Sequence, residues 1–289
     1  MPDLSWHAVA RYRRRLLARF QVRTKRGALA FVNHLGFCYA FTAGPGDLPG
    51  LFDVLATRSI DRMWSLAWQW KDELATEKRL YYGKVLRRKP TYVSFSLLPQ
   101  FYALSGNVGE PDDYLQAYRE GRLSMLAKQI FEYLRDHAPC STWVLRKQFV
   151  PRGSSGSSFH RALAALQERF LVCKVGEQER GGYSFIWDTF DRWLPHVVRE
   201  AKAVSTAHAA ADVLARYLRT TGAAKPADIA ALFEWSPAMM IQTLEILGDQ
   251  VTSMRIDGTP ALAHRALIAA LPGRPRSTSN ARTPYESRD

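Results

Sequence analysis

A mostly α-helical fold with small β-hairpins, arranged as tandem helix-turn-helix units each closed by a wing, is predicted by three observations. Residues 121–188 read as helix, short helix, Ser/Gly-rich turn, helix and two-stranded hairpin, which is the order of a winged helix. Residues 205–262 repeat that order more weakly. The 289-residue chain is 47% hydrophobic, enough to bury a core, and carries a formal net charge of +13. Such a chain attracts polyanions: nucleic acid, an acidic membrane surface or an acidic protein. A helix-turn-helix is built to lay one helix in the major groove, so duplex DNA is the first partner to consider.

In chain order, residues 5–35 read as helix with a break near Arg23–Thr24. Trp6, Val9, Leu16, Leu17 and Phe20 can share one face. Residues 1–30 hold eight Lys/Arg, among them Arg14, Arg15, Arg23, Lys25 and Arg26, against one acid, Asp3. A single-sign cluster repels itself on a helix, which points to phosphate contact; the alternative is a solvated face. Residues 42–50 form a Gly/Pro loop. Residues 59–86 look helical, with Trp64 and Trp68 on one face as core. From Lys78 to Lys89 run six cations and no acid, including Lys84, Arg87, Arg88 and Lys89. Tyr81 and Tyr82 interleave, a pattern that can hold a phosphate chain and stack a base, or else half-bury the tyrosines. Residues 91–104 are apolar and ambiguous between strand and helix, with Pro99 as a break or a first helical turn.

Leu123, Leu126, Ile130, Phe131 and Leu134 recur at helical spacing, and Ser141 caps the following helix. The turn 151–158 supplies Arg152, Ser155 and Ser157 for phosphate contact. The third helix, about 158–169, is expected to expose His160, Arg161, Gln167 and Arg169. Residues 171–175 and 183–187 are strand-like around a wing turn at 177–182. In the Ala-rich second copy, residues 237–249 carry Glu245 and Asp249 and no Lys or Arg, so this unit reads mainly as scaffold. The expected organisation is a basic, aromatic helical domain at 1–105, winged helices at 121–195 and 205–265, and a disordered tail at 273–289.

Cys38, Cys140 and Cys173 are far apart and lack metal-ligand spacing, so they read as small buried residues; no metal or cofactor is expected. The N-terminus lacks a secretory apolar stretch, and no apolar run approaches the ~18 residues that span a membrane. A cytoplasmic, nucleoid-associated monomer is expected. P-loop, GxGxxG, HExxH and GxSxG motifs do not occur. The segment that looks like an active site is Trp68–Leu74. Asp72 and Glu73 beside tryptophan could act as a base for water, and Lys71 as their ion-pair partner or an amine nucleophile. The alternative is a charged, exposed helix face.

These residues and the tandem units together resemble the AlkZ/YcaQ family of winged-helix DNA glycosylases over about 23–262. The contact points are Leu35-Gly36-Phe37-Cys38-Tyr39-Ala40-Phe41, Trp70-Lys71-Asp72-Glu73-Leu74 and Arg192-Trp193-Leu194-Pro195. The WKDEL and KRLYYGK segments are similar to its AlkZ-related branch. The resemblance implies winged-helix units around a positive channel, and removal of bulky alkylated purines or unhooking of crosslinks from DNA. It also implies a water-positioning Gln-x-Gln or Gln-x-Asp signature, whose positions here hold Cys38 and Ala40. A second family motif, His-Glu, falls on Asp72-Glu73. Two readings follow: a divergent glycosylase using Asp72 or Glu73, or a non-catalytic damage sensor or transcriptional regulator, which the missing glutamines favour. An interaction scaffold is a third.

Overall fold

The computed structural model describes residues 4–42, 48–179 and 182–271. Helix α1 (Trp6–Leu17) starts where Ser5 Oγ accepts the Ala8 N–H, and α2 (Lys25–Leu35) where Thr24 Oγ1 accepts the Gly27 N–H. The expected break at Arg23–Thr24 is therefore a helix cap, satisfying amide groups that lack an intrahelical partner. Helix α2 stops at Gly36, whose φ of +86° suits glycine. A Cβ there would also meet Arg216 Cγ at 2.9 Å. Strand β1 (Phe37–Tyr39) and α3 (Ile60–Thr76) follow, then the hairpin β2 (Tyr81–Leu86) and β3 (Lys89–Val93). Arg87 and Arg88 form its two-residue turn, both at positive φ (48° and 57°), the backbone twist that matches a right-handed hairpin.

Helices α4 (Leu98–Leu104) and α5 (Asp113–Arg119) lead to a second unit. It comprises α6 (Met125–His137), β4 (Cys140–Ser141), α7 (Thr142–Phe149), α8 (Ser157–Glu168), β5 (Val172–Gln178) and β6 (Ser184–Thr189). Short helices α9 (Phe190–Trp193) and α10 (Pro195–Ala201) connect it to a third unit. That unit holds α11 (Thr206–Thr221), β7 (Ala223–Ala224), α12 (Pro226–Phe233), α13 (Pro237–Leu247), β8 (Val251–Ile256) and β9 (Thr259–His264), with α14 (Arg265–Ala269) after it.

Each of the three sheets is antiparallel with its last strand in the middle: β1-β3-β2, β4-β6-β5 and β7-β9-β8. The first hundred residues, expected as a helical domain, thus contain the same sheet as the other two units. The basic Lys84–Lys89 run hid the hairpin, because its cations sit on and around the turn. Nor does α1 stay with its own neighbourhood. Its Val9, together with Leu4, packs on Ala223, Ile256, Ala261, Ala263 and Leu267 of the third unit, covering a sheet face too small in side-chain volume to bury itself. The Pro99 ambiguity resolves as a helix with proline in its first turn. The proposed tail 273–289 lies outside the described residues.

One core binds the three units together, joining Phe37, Tyr81, Phe101, Phe170, Phe190 and Tyr217. His264, at the end of β9, lines a cleft with Ser96, Leu97 and Arg216. It is buried, and its Nδ1 accepts the Ala266 N–H at 3.1 Å, capping α14. Burial first, then the charges of Arg219 and Arg265, pull its pKa from 6.5 to about 4. The unfolded chain therefore binds more protons between these values. Stability from this group is complete above pH 6.5 and drains away as pH falls to about 4. At 1.36 kcal/mol per unit this amounts to at most about 3 kcal/mol. His264→Asn, which keeps a cap acceptor, should flatten the acid limb of a denaturation-versus-pH curve; an unchanged limb would refute the assignment.

Candidate functional site

Helix α3 opens at Ser59, whose Oγ accepts the Arg62 N–H, and anchors Ala67, Trp70, Leu74 and Ala75 in the core of the first unit. With that face fixed, Lys71 and Asp72 turn towards the hairpin β5–β6 of the second unit. There they meet Lys174, Glu177 and Tyr183. Asp72 Oδ1 accepts from the Nζ atoms of both Lys71 and Lys174, and Asp72 Oδ2 accepts from Tyr183 OH at 2.7 Å. Lys71 also donates to Tyr183 OH at 2.7 Å, and Lys174 pairs with Glu177 at 2.9 Å. Lys71 is 0%, Lys174 4% and Asp72 7% exposed. Aromatic rings wall the cluster: Lys71 Nζ lies 4.1 Å from the centre of Trp68 and 4.8 Å from Phe185, and Lys174 Nζ 4.8 Å from Phe185.

Burial pulls Lys71 down to about 8, against the raising effect of Asp72. Burial alone would lift Asp72, but hydrogen bonds from Lys174, Lys71 and Tyr183 outweigh it and hold the carboxyl below its ordinary range. Tyr183 is raised by burial and then by its bond to Asp72. At neutral pH, Asp72 is thus an ionised carboxylate with both oxygens engaged. It can supply fixed negative charge, but a base for water needs a free, less strongly held oxygen.

Glu73, one position on, faces away. It pairs with Lys25 at 2.8 Å and accepts from Gln69 Nε2 at 2.7 Å; bonds from Lys25 and then Gln69 hold it below its ordinary range. The two sequence-selected carboxylates therefore sit in different environments, one inside an ion cluster and one in a surface network. Cys38 and Ala40 are fully buried. Cys38 lies opposite Tyr92 in the sheet and shares a core with Trp70, Leu74 and Tyr82. Burial, with Asp53 nearby, raises its thiol pKa. The positions that resemblance links to a water-positioning amide face packed side chains here.

The cations chosen from the sequence fall on two surfaces. Arg14 and Arg23, with Arg58 and Asp53, line a groove of about 770 Å3. Arg15 and Arg26 are exposed nearby in sequence, while Lys25 is engaged by Glu73 and Glu77. The second surface is the start of α8. Arg152, Ser155, Ser157, His160 and Arg161 are all exposed there. Arg146 Nη1 lies 2.7 Å from His160 Nε2, and Arg161 Nη2 donates to Ser158 Oγ at 3.3 Å. Gly156 opens α8 at φ +72°, where a Cβ would come within 2.7 Å of Arg146 Nη1. Lys84 is half-buried; its charge, after burial and Arg146, lowers the His160 pKa. Arg87 and Arg88 line a neighbouring cleft of about 500 Å3 with Arg122, Arg169, Glu168 and Glu234, and Arg88 pairs with Glu168 at 3.4 Å. Lys89 is exposed.

Three sequence expectations are corrected. Gln167 is buried, donating to the Leu163 carbonyl and accepting the Lys84 N–H, and Arg169 is half-buried, donating to the Arg122 carbonyl. Only the first turn of α8 is open, because its later turns pack on β2. Tyr81 and Tyr82 are buried rather than available for stacking, whereas Trp64 and Trp68 are 45% and 44% exposed rather than core. Trp70 is the tryptophan of α3 that reaches the core.

A family model described as AlkZ related matches residues 22–234. The chain belongs to the AlkZ-related family. In fold it is similar to the Streptomyces sahachiroi DNA glycosylase AlkZ, with a TM-score of 0.57, 18% identity, and coverage of 93% of this chain and 73% of that one. A search of curated proteins found no match. The described residues of this chain are mostly helical with small antiparallel sheets.

Sequence reasoning missed, for this AlkZ-related protein, the partners Lys174, Glu177 and Tyr183, and the groove residue Arg58. One signal existed. Lys174 interrupts the apolar strand Leu171–Val175, and a lysine inside such a run needs a buried counter-charge. Among the described residues no group of three or more His, Cys, Asp or Glu could hold a metal ion, and no helix is long and apolar enough to cross a membrane.

Proposed function

We propose that this AlkZ-related protein acts in DNA repair as a monomeric, nucleoid-associated binder of duplex DNA that recognises alkylated or crosslinked sites without excising a base. The order helix, strand, helix, helix, hairpin in the second and third units is that of a winged helix, and the first unit has the same sheet with its last strand in the middle. In the second unit the third helix, α8, presents an open first turn. A winged helix reads the major groove with the start of that helix. The observation that carries the reading is the exposed pair His160 and Arg161 beside the Ser/Gly turn, with half-buried Arg146 against His160. The AlkZ relative, named as a DNA glycosylase, supports the repair setting.

The absence of excision is supported by Asp72, saturated by two ammonium groups and a phenol. A second reading, hydrolysis of the N-glycosidic bond by a divergent glycosylase, is favoured by one observation: Asp72 is kept ionised, as stabilisation of an oxocarbenium ion requires. In that reading Asp72 would stabilise the sugar cation and Glu73 would orient the water. Duplex binding by anisotropy should fall steeply between about 50 and 200 mM salt, with a log–log slope near ~0.9 per phosphate contacted. No free base should be released from duplexes carrying N7-alkylpurines. Undetectable binding at about 50 mM salt overturns the DNA reading, and robust base release overturns the non-excising one.

A further inference from the structure

The exposed face of α3 is unlike a groove-reading helix. Ile60, Trp64 and Trp68 recur every four residues, so they form one stripe, and they are 69%, 45% and 44% exposed. Neither tryptophan joins a hydrophobic core. The two indoles instead belong to a continuous row of rings. Phe52 meets Trp64 at 4.8 Å between centres, Trp64 meets Phe41 at 5.3 Å, and Phe41 stacks on Trp68 at 6.3 Å and 24°. Trp68 then meets Tyr183 at 5.6 Å, and Tyr183 is itself 45% exposed. Side chains of this size left in water at adjacent turns mark a binding surface rather than a fold requirement.

What the surface takes is decided by its surroundings. The stripe begins where Arg58 precedes α3, and Arg58 shares its groove with Arg14 and Arg23. Arg62 is exposed on the first turn of the same helix. Arg58 and Arg62 thus flank the start of the row of rings, with Asp53 in the groove and Asp61 on the first turn as the acids beside them, along a helix that rises about 1.5 Å per residue. Phosphates pair with the cations and unstacked bases with the rings, which is the chemistry of a single-strand platform. A duplex cannot use the rings, because its bases already stack on one another.

We propose that the α3 aromatic stripe and the Arg14–Arg23–Arg58 groove bind unpaired DNA, with bases stacked on Trp64 and Trp68. This site is separate from the start of α8, and it extends the nucleic-acid reading above to a strand that has been opened.

The test uses the full-length protein with a fluorescein-labelled oligo(dT) of about 15 nucleotides, within the span such sites cover, and a duplex of equal length. Wild type should bind oligo(dT) and show quenched tryptophan fluorescence. Trp64→Ala/Trp68→Ala should lose at least ~10-fold in oligo(dT) affinity, while its duplex affinity stays unchanged. Trp64→Phe/Trp68→Phe should recover most of the loss, since phenyl rings also stack. Trp64 lies on the surface and Trp68 also covers Lys71, so an unchanged duplex affinity is the readout that the double variant stays folded. Oligo(dT) affinity equal in wild type and double alanine variant overturns the inference. Duplex binding without any oligo(dT) binding overturns it too, leaving the duplex reading in place. Loss of both in the wild type overturns the two together.

Discussion

Asp72→Asn should lower the thermal midpoint by roughly 10 °C. The carboxylate is the common acceptor for Lys71, Lys174 and Tyr183. An amide leaves two buried ammonium groups without a charge partner apart from Glu177, and removing one member of a buried ion pair costs about 3–5 kcal/mol. In a chain of this size each kcal/mol moves the midpoint by about 2–4 °C. Lys71 adds a pH signature. Its folded pKa of about 8 lies below its ordinary 10.5, so the unfolded chain binds more protons between those values. Stability from this group therefore rises as pH increases through that window, and in Asp72→Asn the rise should begin at lower pH. Glu73→Gln removes a surface contact and should leave the midpoint nearly unmoved. Replacing Lys71, Asp72 and Lys174 together by Met, Leu and Met should restore or exceed wild-type stability, because desolvation of the three buried charges is then avoided while Glu177, with its side chain 27% exposed, keeps water. Calorimetry of the three variants checks the ranking. Equal midpoints for Asp72→Asn and wild type would mean the cluster is hydrated and open, which would revive Asp72 as a base.

Arg161→Glu should weaken duplex binding by roughly 10- to 100-fold, as expected for losing a groove or phosphate contact and adding repulsion. Arg161 is exposed on the first turn of α8, beside Arg146 and His160. Gln242→Glu on α13, also exposed, should change little, since that helix already carries Glu245, and Asp249 follows just beyond its end. Anisotropy titrations at one fixed salt concentration decide the ranking, and the reverse order would move the DNA surface to the third unit.

Local order was legible in the sequence wherever the signal was itself local. Ser141 and Ser236 cap the helices they precede, the apolar spacing in α6 marks the buried face, and the Ser/Gly turn before α8 stands where 151–158 placed it. The tryptophans of α3 show where such reasoning stops. Trp64, Trp68 and Trp70 are chemically alike, and periodicity put the first two in the core. Which face of α3 is covered depends on α2 and β2 packed against it and on β5 beside it.

The carboxylates divide in the same way. The WKDEL segment by itself specified a helix with two acids and a lysine at its end, and it marked the family to which the chain belongs. It could not specify that Lys174, 102 residues away, would share an oxygen of Asp72 while Glu73 turned to Lys25. Helix caps, turns and binary pattern are written within a few residues, because they arise from backbone hydrogen bonds and side-chain spacing. Charge pairing, desolvation and exposure arise from which surfaces meet. For this protein the meeting of the first two units buried Asp72, while packing inside the first unit filled the positions around Cys38 and Ala40 and left a row of aromatic rings in water.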